Sequence, residues 1–257
     1  MGANLRTRVE DGIAVVTLAR PHKRNAIDDA TLAEIGAFFG APPAAARAAV
    51  VHGEGEHFSA GLDLATLTGR NAEQGVVHSR AWHAAFRAIE FGAIPVIAAL
   101  HGAVVGGGLE LAAACHIRVA ETSAFYALPE ASRGIYVGGG ASVRLARLVG
   151  VARMADMMLT GRSYTAAEGV VLGFSQYCVA DGEGLAKAMA LARHAAGNAA
   201  LTNFAILQAL PRIAAADPET GLLMESLMSA IAQDSAEAKQ RLAAFLEGRA
   251  AKVVRPE

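Results

Sequence analysis

Residues 101–114 read HGAVVGGGLELAAA. An apolar run over 94–100, containing Pro95, leads into them. Three consecutive glycines follow, Gly106, Gly107 and Gly108, and then an Ala/Leu-rich segment of helical character. Residues without side chains ahead of a helix let another group approach the backbone closely. The first helical turn carries N–H groups with no partner inside the helix, and the helix dipole favours negative charge there. A strand, a glycine turn and a helix in this order therefore read as a place to hold an anion or a developing oxyanion. One turn in stands Glu110, which reads either as a first-turn carboxylate stabilising the helix start or as a general base beside whatever the glycines hold. The glycines fit neither G-x-G-x-x-G nor G-x-x-x-x-G-K-[ST], so a nucleotide phosphate loop is not expected.

The chain of 257 residues has room for one large domain or one domain with an appendage, and it can bury an ample core. A net charge of −1 supplies no basic field for nucleic acid or an anionic membrane. Cys115 and Cys178 lie in apolar sequence and suggest no disulfide framework; both read as buried small hydrophobes in a reducing cytoplasm. The opening MGANLRTRVEDG lacks a signal-peptide apolar region, and Arg6 breaks the myristoylation pattern. The longest apolar stretch, 93–115, is interrupted by Pro95, His101, the glycines and Glu110, and does not read as a membrane span. A soluble cytoplasmic protein is expected.

In chain order, Leu5–Arg20 reads as a hairpin turning at Asp11-Gly12. A basic loop over 20–28 follows, and Asp28 can cap a helix over Thr31–Phe39. Ala48–His52 is a buried strand leading into a glycine-containing loop around Phe58. Val76–Glu90 is a helix, on which Trp82 and Phe86 read as core. Ile117–Ala120 and Ala124–Leu128 are strand-like, 134–140 is a glycine-rich loop, and Ser142–Val149 and Val151–Leu159 are helical. Thr165-Ala166-Ala167-Glu168 matches a capping box, and Ser175–Ala180 is a last strand. Gly184–Ala196, Leu201–Ala215, Thr220–Gln233 and Ala236–Glu247 have helical periodicity, with Pro211 marking a kink or break. The expected organisation is an α/β body over residues 1–198 and a helical region over 199–257.

Four segments stand in order: Arg20-Pro21-x-x-Arg24-Asn25-Ala26-Ile27, Phe58-Ser59-Ala60-Gly61-Leu62-Asp63-Leu64, Gly102-Ala103-Val104-Val105-Gly106-Gly107-Gly108-Leu109-Glu110 and Pro129-Glu130-x-x-x-Gly134. In this order and spacing they closely resemble the crotonase (enoyl-CoA hydratase/isomerase) family. The ending Ala244-Phe245-Leu246-Glu247-Gly248-Arg249 is similar to that family's C-terminal helix. The resemblance implies an α/β spiral of ββα units with a C-terminal helical trimerisation region, trimers pairing to hexamers, and an acyl-CoA substrate whose coenzyme A is part of the substrate, with no separate cofactor and no metal. It implies that the backbone N–H groups of Leu62 and Gly107 bind the thioester carbonyl. Losing one such donor typically slows a reaction about 10²–10³-fold.

The resemblance further implies that Glu110 activates the water attacking Cβ and that Glu130 handles the proton at Cα. Two carboxylates in one apolar pocket do not both ionise freely, so one is expected to carry a proton. For coenzyme A the matching positions are Lys23, Arg24, Ala26, Ala60, Asp63 and Leu64, with Lys252 a further candidate. Ala65 stands where well-studied hydratases carry a lysine, and His116 departs from a common Asp-Ile-Arg pattern as a structural substitution. His78 and His83 lack H-E-x-x-H spacing, and Ser59 lacks a nucleophile elbow. The leading expectation is an enoyl-CoA hydratase. An isomerase or thioester hydrolase on the same fold is the alternative, and a non-catalytic acyl-CoA-binding protein is a third. Acyl length, degradation pathway and trimer versus hexamer stay open, with the acyl determinants expected between Leu64 and Glu90 and in 136–140.

Overall fold

The computed structural model describes residues 4–67 and 69–250; Lys252 lies outside them. The strands among them are β1 (Leu5–Glu10), β2 (Ile13–Leu18), β3 (Ala48–Gly53), β4 (Val96–Leu100), β5 (Ala103–Val105), β6 (Ile117–Glu121), β7 (Phe125–Ala127), β8 (Tyr164–Thr165) and β9 (Tyr177–Val179). β1 and β2 pair antiparallel with Glu10 opposite Ile13. The two turn residues, Asp11 (φ 50°) and Gly12 (φ 77°), are both left-handed, the geometry an Asp-Gly hairpin favours. The sheet continues in parallel in the order β1-β2-β3-β4-β6-β9, while β5, β7 and β8 form a second, smaller sheet.

Parallel neighbours need crossovers, and helices supply them. α1 (Asp29–Gly40) joins β2 to β3, α2 (Ala72–Glu90) joins β3 to β4, and α3 (Gly107–Ala114) joins β5 to β6. α4 (Ala141–Val149) and α5 (Val151–Thr160) lead to β8, α6 (Ala166–Leu172) leads to β9, and α7 (Gly184–Ala196) follows it. The architecture is the expected spiral of ββα units. Caps set the helix starts: Asp28 accepts from Thr31 N at 2.8 Å, and Thr165 and Glu168 form a capping box. α2 starts at Ala72, ahead of the expected Val76, because Asn71 and Gln74 form a second capping box.

Every residue of β2 is buried, since both faces of the sheet are covered. On one face Ile13, Val15, Val50 and Ile97 pack on Ala188, Met189 and Ala192 of α7. On the other, Val16, Val51 and Leu100 meet Leu32, Ile35, Trp82, Phe86 and Leu109 from α1, α2 and α3. Cys115 is buried, and burial pushes its thiol up to about 12. Cys178 is exposed, against expectation: it lies on β9, an edge strand with one neighbour.

A second compact unit begins at Gly197. It is helical over Ala200–Phe204, Ala205–Ala209, Leu210–Ile213, Pro218–Asp234 and Ala236–Leu246. Pro211, expected to kink or break the helix, does not end it, and the irregularity there takes the form of a π turn. The five residues before Leu210 wind as a wider π turn, which makes room for a proline ring that would otherwise strike the carbonyl four residues back. No helix among the described residues is long and apolar enough to cross a membrane.

The basic loop after β2 is held from inside. Asn25, 2% exposed, accepts from Arg20 N at 3.0 Å and donates through Nδ2 to the carbonyls of Glu54 (2.9 Å) and His57 (2.7 Å). It does so at φ 53°, next to Arg24 at φ 51°, a conformation asparagine tolerates better than most residues. Asn25→Ala removes three hydrogen bonds and leaves a left-handed alanine, so urea unfolding is expected to show a loss of about 3 kcal/mol.

Candidate active site

The 59–62 segment runs beside β5: Ser59 N donates to Ala103 O (2.9 Å), and Val105 N donates to Ser59 O (3.1 Å). It also runs beside Ile27, whose N–H donates to Gly61 O while Asp63 N donates to Ile27 O. Ser59 Oγ, fully buried, donates to Asn25 O and accepts from Gly61 N. The start of α3 crosses this segment at backbone distance. A methyl group on Gly61 would fall 2.6 Å from Val105 O and 2.8 Å from Gly107 N; one on Gly108 would fall 2.5 Å from Ser59 O. One on Gly107 would lie 3.2 Å from Leu62 N. The Leu62 and Gly107 amides are thus neighbours, and neither donates a hydrogen bond to a described residue.

Glu110 follows one turn into α3 and is 4% exposed. Its Oε1 accepts from Gly139 N (2.8 Å) and Ala141 N (2.9 Å), both in the turn that starts α4. Burial pushes its carboxyl up, while those amides and the Arg144 guanidinium pull against the rise. Arg144 holds the same turn by donating to Gly139 O (3.0 Å) and pairing with Glu90 (2.8 Å). Glu130, just after Pro129, is 8% exposed. A methyl on Gly106 would fall 2.7 Å from its Oε1, and its buried Oε2 has no hydrogen-bond partner among the described residues. Burial, with the nearby Glu110 charge adding to it, pushes its carboxyl up to about 7.

Leu62, Gly107, Glu110 and Glu130 line one cavity of about 80 Å³, together with Ala60 and Leu64. Glu110 also lines an adjoining cavity of about 310 Å³, walled by Leu62, Leu67, Trp82, Tyr136 and Val137. Two unpaired amides, two buried carboxylates and an apolar recess form a site that can polarise a carbonyl and move protons on the carbons next to it. The enoyl-CoA hydratase/isomerase family model matches residues 8–253.

This chain belongs to that family.

A Bacillus subtilis protein named "probable enoyl-CoA hydratase" is 35% identical over 246 residues, covering 94% of this chain and 95% of that protein. The short-chain-enoyl-CoA hydratase of Clostridium acetobutylicum is 32% identical, covering 93% of each. A crystal structure from Rhodopseudomonas palustris CGA009 is 58% identical with a TM-score of 0.93, covering 96% of this chain and 95% of that one. Membership makes the chain an enzyme, a lyase or an isomerase, of crotonase fold.

The other positions that the family resemblance marks are spread around this centre. Lys23 and Arg24 are exposed on the turn between β2 and α1, and Arg24 O accepts from Ala60 N at 2.9 Å. Ala26 O accepts from Arg20 Nη1. The Asp63 carboxylate is engaged with Arg20 at 3.0 Å. His116 is structural: its Nδ1 accepts from Val96 N, and its Nε2 lies 3.2 Å from Glu90 O. Sequence reasoning missed the Gly139 and Ala141 amides that hold Glu110. Their signal was the run Gly138-Gly139-Gly140: a methyl on Gly139 would fall 2.7 Å from Glu110 Oε2.

Glu130 titrates near 7 in the folded chain against an ordinary 4.5. The folded state therefore holds an extra proton between those values, and its stability falls as pH rises through them. Glu130→Gln removes this slope. Urea unfolding is expected to find the variant level with the parent at pH 4 and about 3 kcal/mol more stable at pH 8; a gap that does not widen with pH contradicts the assignment.

Proposed function

We propose that the chain is an enoyl-CoA hydratase, adding water reversibly across the double bond of a 2-enoyl-CoA thioester. The observation that carries this reading is the single cavity lined by Leu62, Gly107, Glu110 and Glu130. The thioester oxygen accepts hydrogen bonds from the Leu62 and Gly107 N–H groups, which stabilise it as it becomes enolate-like. Glu110, as carboxylate, takes a proton from water while that oxygen bonds Cβ. Glu130, protonated, gives its proton to Cα, and solvent exchange resets both groups. The division of labour follows from surroundings: two amides favour charge on Glu110, and nothing among the described residues hydrogen-bonds Glu130 Oε2.

The acyl group enters the recess beside Trp82 and Tyr136, and the coenzyme A moiety lies along Lys23, Arg24, Ala26, Ala60, Asp63 and Leu64. Two free thiols, one exposed, suit a reducing cytoplasm. The helices after Gly197 expose Leu222, Leu223, Leu227, Ile231, Phe245 and Leu246, an apolar surface suited to assembly into trimers or pairs of trimers. Sedimentation velocity is expected to find no monomer at micromolar concentration.

Replacement of Glu110 or Glu130 by Gln is expected to lower kcat on crotonyl-CoA about 10²–10⁴-fold, followed by loss of the enoyl-thioester absorbance. Full hydration by both variants overturns the mechanism. Double-bond migration without water uptake would assign the chain to the isomerases, and tight binding without turnover would make it an acyl-CoA-binding protein.

A further inference from the structure

Trp82 is the only tryptophan of the chain, 3% exposed, and its two edges do different things. The six-membered edge abuts the site's glycines: a methyl on Gly107 would fall 2.7 Å from Cζ3, and one on Gly139 would fall 3.0 Å from Cε3. The ring therefore backs both the Gly107 amide and the turn that grips Glu110. At the other edge, Nε1 lies 3.1 Å from His78 Nε2, one turn earlier on α2. That same His78 nitrogen lies 3.1 Å from Asp29 Oδ1 on α1, and Asp29 Oδ2 pairs with Arg70 at 2.5 Å.

One ring nitrogen cannot serve both neighbours. An indole N–H only donates, and an ionised carboxylate only accepts. With its proton on Nδ1, neutral His78 accepts from Trp82 and leaves Asp29 to Arg70. As imidazolium it donates to Asp29 and turns an N–H toward the indole N–H, which then has no acceptor.

We propose that His78 is a positioning residue for hydration: neutral with its proton on Nδ1, its Nε2 holds the Trp82 ring against Gly107 and Gly139; protonated, its Nε2–H donates to Asp29 and, still beside the indole, leaves the Trp82 N–H without an acceptor. The role in catalysis rests on the hydratase reading above. The groups facing the imidazole are Asp29 from α1, Arg70 from the segment before α2, and Glu73 on its own helix, which line the same groove. Glu110 and Tyr136 line the acyl recess on its other side. Burial, then Arg70, hold His78 below the ordinary imidazole value, with Asp29 opposing them. The neutral, Trp82-holding form therefore prevails at neutral pH.

The single tryptophan makes the test specific, because protonated imidazole quenches indole emission on contact. Fluorescence of the full chain is followed from pH 8 to pH 4.5, with far-UV circular dichroism checking folding. The parent is expected to lose emission with a midpoint below 6.5, the ordinary imidazole value. His78→Gln, whose amide oxygen accepts from the indole but does not titrate in this range, loses the transition. Asp29→Asn moves the midpoint lower. At pH 7.5, His78→Gln keeps kcat/KM on crotonyl-CoA within about twofold, whereas His78→Phe, which offers no acceptor, loses about tenfold, mostly in kcat.

A transition that survives in His78→Gln belongs to another group, such as His83, Glu110 or Glu130, and overturns the proposal, as does a folded His78→Phe with full kcat/KM. If the parent hydrates no 2-enoyl-CoA, the hydratase reading fails and the catalytic role with it. The fluorescence titration then still decides whether His78 holds Trp82.

Discussion

Where the 59–62 segment meets the start of α3, two stretches of main chain touch with no side chain between them. Methyl groups on Gly61 and Gly108 would fall 2.6 and 2.5 Å from the carbonyl oxygens of Val105 and Ser59, closer than packed atoms allow. The contact brings the Leu62 N–H, at the end of a loop strand, beside the Gly107 N–H at a helix start. Neither amide is used by the secondary structure around it, and that is what makes them available. A donor shut away from water without a partner is costly, so the pair favours an acceptor, the place that the proposed hydration gives to a thioester oxygen.

In the proposed mechanism the two carboxylates divide their work by surroundings rather than by chemical type. Glu110 lies deeper, yet its Oε1 receives two amide hydrogen bonds and Arg144 stands nearby. Glu130 has an unmet Oε2 and the repulsion of Glu110; its own backbone amide and Arg133 oppose the rise without cancelling it. Charge on one raises the cost of charge on the other, so a proton on Glu130 favours the anion at Glu110. Removing water from between them would strengthen this coupling, because the local dielectric falls.

What the sequence disclosed and what it concealed follow from the range of the interactions involved. The Asp11-Gly12 hairpin, the Asp28 cap and the Thr165–Glu168 capping box are set within four residues, and short-range pattern reads them. The glycines at 106–108 announced an unusual backbone approach, although not the Ser59 carbonyl that makes it necessary. Cys178 was misjudged because apolar neighbours do not reveal that β9 lies at a sheet edge. Pro211 does disturb the helix, but through a π turn that does not end it, a form the proline alone does not specify. The grip of Gly139 and Ala141 on Glu110 spans about thirty residues. Nothing local encodes it except a triplet of glycines that reads equally well as a loop.

If the recess beside Trp82 takes the acyl group as proposed, substrate choice cannot be separated from stability. The ring belongs to the main hydrophobic core, meets Phe86 edge-on at 5.3 Å and also walls the recess proposed for the acyl group. Leu62 is likewise packed against that core and supplies one of the two amides. The recess is thus walled on one side by the core and on the other by the loop over 135–139. In a close-packed interior, a side chain shortened to admit a bulkier acyl group also gives up its own contacts on the far side. A substrate that refills the gap recovers part of that loss only while bound. Changes of acyl specificity through Trp82 therefore carry a stability cost in the free enzyme, whereas changes at Tyr136, exposed on the rim, do not.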